Sequence, residues 1–138
     1  MNFAMKVLLL VLAGASIASA DVSALKVSCS GYAVSEVPAL RGRLAIRIAS
    51  ASNDDSKNKR QDYINGVRTL LEAVSRTYQT DRYLVYTGTQ SVLYIDLATI
   101  NPDGSHPAKT DVATPRGEYT SEALKCVLDP IHPRIVAE

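Results

Sequence analysis

Residues 64–78 read Ile-Asn-Gly-Val-Arg-Thr-Leu-Leu-Glu-Ala-Val-Ser-Arg-Thr-Tyr, and the spacing of their large apolar side chains decides whether the domain contains a helix. Ile64, Val67, Leu70, Leu71, Val74 and Tyr78 recur mostly at three or four positions, the interval at which side chains return to one face of a helix. The spacing predicts a helix here. Gly66 weakens it by roughly 1 kcal/mol relative to alanine without abolishing it.

Upstream, Leu25, Val27 and Cys29 alternate with Lys26 and Ser28, as in a short strand with one buried face. Ser35 is suited to cap a first helix over residues 36–50, with Glu36 and Pro38 in its opening turn and Val37, Leu40, Leu44 and Ile48 on one side. Residues 43–50 also read as a strand, because Leu44, Ile46 and Ile48 alternate; a strand there would form an N-terminal hairpin. Residues 50–61 hold no large apolar side chain and read as an exposed loop.

Downstream, Tyr83–Thr87 and Ser91–Leu97 are rich in β-branched and aromatic residues, and Gly88-Thr89-Gln90 joins them as a hairpin. Prolines 102, 107 and 115 with Gly104 and Gly117 make residues 101–117 read as a long surface loop. A last strand follows over Glu118–Leu128, and residues 129–138 form a loose tail. This order predicts an α+β domain, an antiparallel sheet with one or two helices packed on one face.

The chain's 138 residues are 46% hydrophobic and 21% charged, which suits one folded domain and excludes a disordered or collagenous chain. Lys6, the apolar run Val7–Ala13 and the small residues Ala18-Ser19-Ala20 form the pattern of a secretory signal peptide over residues 1–20. The expected product, residues 21–138, is secreted as a monomer without a membrane anchor, since no second apolar run is long enough to span a bilayer. Residues 1–20 carry one lysine and no acid, so fourteen basic and fourteen acidic side chains remain. Bulk attraction to nucleic acid or acidic lipid is excluded, though a local patch is not.

Cys29 and Cys126 are the chain's two cysteines, and in a secreted protein they are expected to pair. The closed loop spans 97 residues, so their strands must be neighbours.

A signal peptide, then Val27-Ser28-Cys29 with Gly31 and Tyr32, a helix, tyrosine-bearing strands and a late Cys126 make the chain resemble a family of fungal proteins. These are the RNase-like secreted effectors of plant-pathogenic fungi, of the powdery mildew type, related in fold to guanyl-specific microbial ribonucleases. The chain departs from the pattern at Val27, where an aromatic residue is usual, and in its 50–61 loop and second helix. The resemblance implies a microbial-ribonuclease-like fold with one disulfide. It also implies an effector that binds a host macromolecule, protein first and RNA second, outside the cell or after delivery into a host cell.

Active ribonucleases of that fold need a carboxylate base, a histidine acid and an arginine beside the phosphate. The resemblance would put the histidine on the last strand, where Glu118–Lys125 has none; the chain's two histidines are His106 and His132. A non-catalytic role is therefore expected. The alternatives are an active ribonuclease using Glu118, Arg116 and either His106 or His132, or a secreted protease-inhibitor-like domain. No metal or cofactor is expected from two histidines and two paired cysteines.

Charge is polarised along the chain, with nine basic and five acidic residues between Arg41 and Arg82. Arg43, Arg47, Lys57, Lys59 and Arg60 are the candidate RNA contacts, with Tyr63 placed to stack on a base.

Overall fold

Asn65 and Gly66 both take left-handed backbone angles, φ 52° and 83°, and turn the chain sharply back on itself. Two consecutive residues of this kind make the tight turn whose twist matches a strand pair. The computed structural model describes residues 25–50 and 58–130. Its strands are β1 (Leu25–Val34), β2 (Gly42–Ser50), β3 (Lys59–Ile64), β4 (Val67–Ala73), β5 (Arg76–Gln79), β6 (Tyr83–Thr87), β7 (Ser91–Asp96), β8 (His106–Thr114) and β9 (Gly117–Pro130).

The α+β expectation is overturned, and with it the microbial-ribonuclease-like packing of helix on sheet. Among the described residues the sole helical piece is the 3-10 turn Pro38–Leu40. Residues 43–50 are strand, paired with β1 as an N-terminal hairpin. The helix expected over 64–78 is instead β4 and β5, preceded by the Asn65-Gly66 turn. Its apparent helical period mixes two faces: Ile64, Leu70 and Val74 are buried, whereas Val67 is 64% and Leu71 48% exposed. A bulge opposite Asp62 and Tyr63 breaks strict alternation and lets the adjacent Thr69 and Leu70 both be buried.

The remaining differences have similar causes. Lys59–Gln61, read as the end of an exposed loop, open β3. Residues 106–114, read as part of a long loop, are β8, with Pro107 near its start. Asp129 and Pro130 belong to β9 and not to a tail. The expected signal peptide, Lys57, His132 and residues 131–138 lie outside the described residues. The first strand, the hairpin through residues 88–90, the last strand and the disulfide are found as expected.

All nine strands form one sheet in the order β4-β3-β2-β1-β9-β8-β7-β6-β5, each hydrogen-bonded pair antiparallel. Every consecutive pair is therefore adjacent except β4 and β5, the two edges. Alternation of direction through the sheet makes β4 and β5 run the same way. They are two halves of one extended stretch, which pairs with β3, passes through Val74 and Ser75, and then pairs with β6. The Val74 amide donates to the Asn58 carbonyl at 2.8 Å and the Ser75 amide to the Thr87 carbonyl at 2.8 Å, so the handover draws the two edges together. Glu72 reinforces it by accepting from the Gln90 amide at 3.0 Å and the Thr89 hydroxyl at 3.1 Å. The sheet curls into a half-barrel, joined at this corner.

Its inner face carries Val27, Leu44, Ile46, Ile48, Leu84, Leu93, Ile95 and Tyr119, all buried. Cys29 and Cys126 are direct cross-strand partners on the same face, their Cα atoms 4.0 Å apart. A polar strip crosses the same interior. Arg60 forms a bidentate pair with Asp62, both bonds 2.7 Å, and donates to the Thr110 hydroxyl at 2.9 Å. The Tyr119 hydroxyl donates to Asp62 at 2.9 Å. Burial and the Asp62 charge raise the Tyr119 hydroxyl well above its ordinary pKa, which keeps it a donor.

The Asn65-Gly66 turn gives a test of sign. A Cβ at Gly66 would meet no atom within 4 Å, so Gly66→Ala perturbs only backbone conformation. A helix would gain roughly 1 kcal/mol from this change, whereas the left-handed turn loses about 1–2 kcal/mol. A lowered urea midpoint is expected.

Acid should weaken the fold in a defined way. Arg82, bonded to Asp96 at 2.8 Å, together with the Ala98 amide and Thr99 hydroxyl, holds the Asp96 carboxyl below its ordinary pKa against the opposing effect of burial. Lys125, 2.8 Å away, and Ser105 hold Asp103 well below the usual carboxylate range. A depressed folded pKa stabilises above the unfolded value, near 3.9, and that contribution is lost as pH falls through the folded value. Urea midpoints should therefore fall below about pH 4, and Asp96→Asn should flatten that decline.

Candidate functional site: a groove on the outer sheet face

The alternation that sends Val27, Ile46 and Asp62 inward sends their neighbours outward, and across β9, β1, β2 and β3 these neighbours build an open groove of about 1180 Å³. Register fixes its plan. One row across the strands is Lys125, Ser30, Ala45 and Tyr63; the row on one side pairs Tyr32 with Arg43, and the row on the other pairs Ser28 with Arg47. Ser30 and Ala45 are small, so the centre of the floor is low. Arg43 and Arg47 lie four residues apart on β2, roughly 13 Å, and stand on opposite sides of it.

Local structure holds these residues in place. The Arg43 amide donates to the Asn65 side-chain oxygen at 2.9 Å, and the Asn65 amide group donates to the Arg41 carbonyl at 3.0 Å. The start of β2 is thereby tied to the β3–β4 turn. At Gly31 a Cβ would come within 2.8 Å of the Leu124 Cα and 2.9 Å of the Glu122 carbonyl, so glycine permits the β1–β9 bulge beside the floor. Lys125 is engaged by Asp103, which also lines the groove. Among the described residues, neither Arg43 nor Arg47 is held in an ion pair.

The other half of the outer face is closed on itself. Tyr78 and Tyr94 flank the buried Val85, Arg76 lies 4.5 Å over the Tyr78 ring, and Lys109 lies 5.7 Å over Tyr94. Its cations already have rings beneath them.

Three of the six candidate RNA contacts, Arg43, Arg47 and Tyr63, line the groove together. Lys59 is exposed on β3, opposite Ala49 and Ala73 and away from that row. Arg60 is buried in the interior beside Asp62, out of reach of any ligand in the groove. Tyr32, part of the motif that carries the resemblance, and Lys125 were not expected at a binding site; they join it only through strand register.

Among the described residues, the candidate ribonuclease residues His106, Arg116 and Glu118 are not assembled. Arg116 spends its guanidinium on the Thr69 carbonyl at 2.8 Å, and Glu118 is exposed beside the β8–β9 turn. His106 pairs with Cys126 at the far end of β8, while Ala113 pairs with Glu118. Seven residues of strand put His106 and Glu118 on the order of 23 Å apart. The His106 Nδ1 faces two carbonyls, Thr99 at 2.8 Å and Asp96 at 3.1 Å, which can only accept, so Nδ1 carries the proton. Among the described residues no three His, Cys, Asp or Glu side chains are grouped to hold a metal ion, and no helix is long and apolar enough to cross a membrane.

No family model, curated protein or solved structure matches this chain. The groove itself therefore carries the functional reading. It is a shallow channel with a small-residue floor at Ser30 and Ala45, the aromatic rings Tyr32 and Tyr63 at its margins, and the cations Arg43, Arg47 and Lys125 along it.

Proposed function

We propose that the chain is an exported, non-catalytic binding domain, effector-like in that its target is a macromolecule outside the producing cell, and that it engages an extended anionic polymer along the outer groove. The observation that carries this is the pair Arg43 and Arg47, two cations beside an open floor with no carboxylate among the described residues holding either one. Unpaired cations on a rigid strand attract anions without first breaking an internal bond. Export is supported by the joining of both cysteines, a state that persists in oxidising compartments. The separation of His106 from Glu118 supports the non-catalytic part.

A heparin fragment is a suitable general probe. Its affinity for the mature protein should fall linearly with the logarithm of salt concentration, and the Arg43→Glu/Arg47→Glu variant should bind at least about tenfold more weakly with a shallower slope. Salt-independent binding, or an unaffected variant, would refute the proposal.

A further inference from the structure

We infer that the polymer is single-stranded nucleic acid, with one base stacked on Tyr63, a second on Tyr32, and the phosphate chain running past Arg43 and Arg47. This rests on the polyanion reading above and deepens it.

The Tyr63 hydroxyl donates to the Gln61 side-chain oxygen at 2.9 Å, two residues away on the same face of β3. That bond ties the phenol to its own strand and leaves the half-buried ring oriented before any ligand arrives. Tyr32 is 55% exposed, directly across from Arg43, and among the described residues no ring or cation is stacked on it. An exposed large aromatic beside an arginine that pairs with no carboxylate among the described residues suits a ligand that offers a flat π face and a negative charge together.

Spacing sharpens the assignment. Tyr32 and Tyr63 lie two strands apart and one row apart, on the order of 12 Å between Cα atoms. One base cannot touch both rings. Two bases of a single strand can, with Ser30 and Ala45 leaving room for the chain between them. A duplex keeps its bases stacked on each other and presents none to a tyrosine, and a sulfated glycan carries the charge without the π face. The groove offers features for both halves of a nucleotide.

The test compares four probes by fluorescence anisotropy on the full mature protein: a short single-stranded uridine RNA, the corresponding DNA strand, an abasic backbone of equal length and charge, and a heparin fragment. RNA or DNA should bind at least about tenfold more tightly than the abasic chain or heparin. A preference between RNA and DNA would name the source, and equal affinity would assign the shared base-and-phosphate chemistry. Tyr63→Leu and Tyr32→Leu should each weaken nucleic-acid binding about tenfold and leave heparin binding unchanged. Ala45→Ile, which raises the floor without altering charge, should weaken it as well.

Equal affinity for all four probes, with no effect of the tyrosine changes, would overturn this inference while leaving the polyanion reading intact. Absence of salt-dependent binding to any probe would overturn both. Binding to an acidic polypeptide in preference to every nucleic-acid probe would also overturn it.

Discussion

Asp62→Ala is expected to destabilise the protein by about 3–5 kcal/mol, the range for stripping the partner from a buried charge. Arg60 and Asp62 are both buried, with side-chain exposures of 2% and 0%, so water cannot replace the lost carboxylate. The substitution removes both 2.7 Å bonds from Arg60 and the carboxylate acceptor of the Tyr119 hydroxyl, which keeps the Thr69 hydroxyl at 3.0 Å, while Arg60 retains its bond to Thr110. The Arg60 Nη1 already lacks a hydrogen-bond partner, so that guanidinium has no reserve. Removing both charges should behave differently. Arg60→Met/Asp62→Leu exchanges an ion pair for apolar volume and is expected to be nearly neutral or mildly stabilising. Urea unfolding of the wild type, the single variant and the double variant measures both. An Asp62→Ala midpoint close to wild type would mean the pair is not buried in the sheet interior.

Loss of the disulfide is expected to be comparable in size. In the chain-entropy model a loop of about 100 residues contributes roughly 4.7 kcal/mol by restricting the unfolded chain, and Cys29–Cys126 closes one of 97. Typical domain stabilities are about 5–15 kcal/mol, so Cys29→Ala/Cys126→Ala should leave the protein marginally folded. Geometry adds to the entropic effect. The bond lies in the β1–β9 pairing, the seam that joins the β1–β4 run to the β5–β9 run. Both sulfurs are also buried, so alanine leaves unfilled space on the inner face. The readout is the urea midpoint of the variant against the oxidised protein. An unchanged midpoint would show that the bond constrains nothing in the unfolded chain.

The sequence was most legible where alternation was undisturbed. Val27 and Cys29 and the 83–97 hairpin follow a period of two with turn residues between, and the cysteine pair followed from the expectation of export. The misread stretches combine apolar spacing with irregularity. At 64–78 the bulge opposite Asp62 and the handover at Val74-Ser75 interrupt the strand period, and the resulting spacing imitates a helix. Asn65-Gly66 was the contrary signal, a dipeptide suited to a two-residue hairpin turn.

At Lys59–Asp62 the difficulty was polarity. Hydrophobicity registers Arg60 and Asp62 as exposed, whereas each satisfies much of the other's buried charge. The groove shows the same dependence on one residue of register. Lys59 faces out and Arg60 faces in, and composition cannot distinguish them. Tyr32 acquires meaning only opposite Arg43, a pairing made across a reversal of the chain.

The split strand at Val74-Ser75 also has a consequence for the order of events during folding. Seven of the eight strand pairs join elements consecutive in the chain, while β1 with β9 bridges nearly its whole described length. Neighbouring hairpins close small loops and are expected to zip early in two separate meanders. The β1–β9 ladder carries the largest loop-closure entropy and is expected to dock late. Oxidation of the cysteines before docking would raise the refolding rate by supplying that closure in advance.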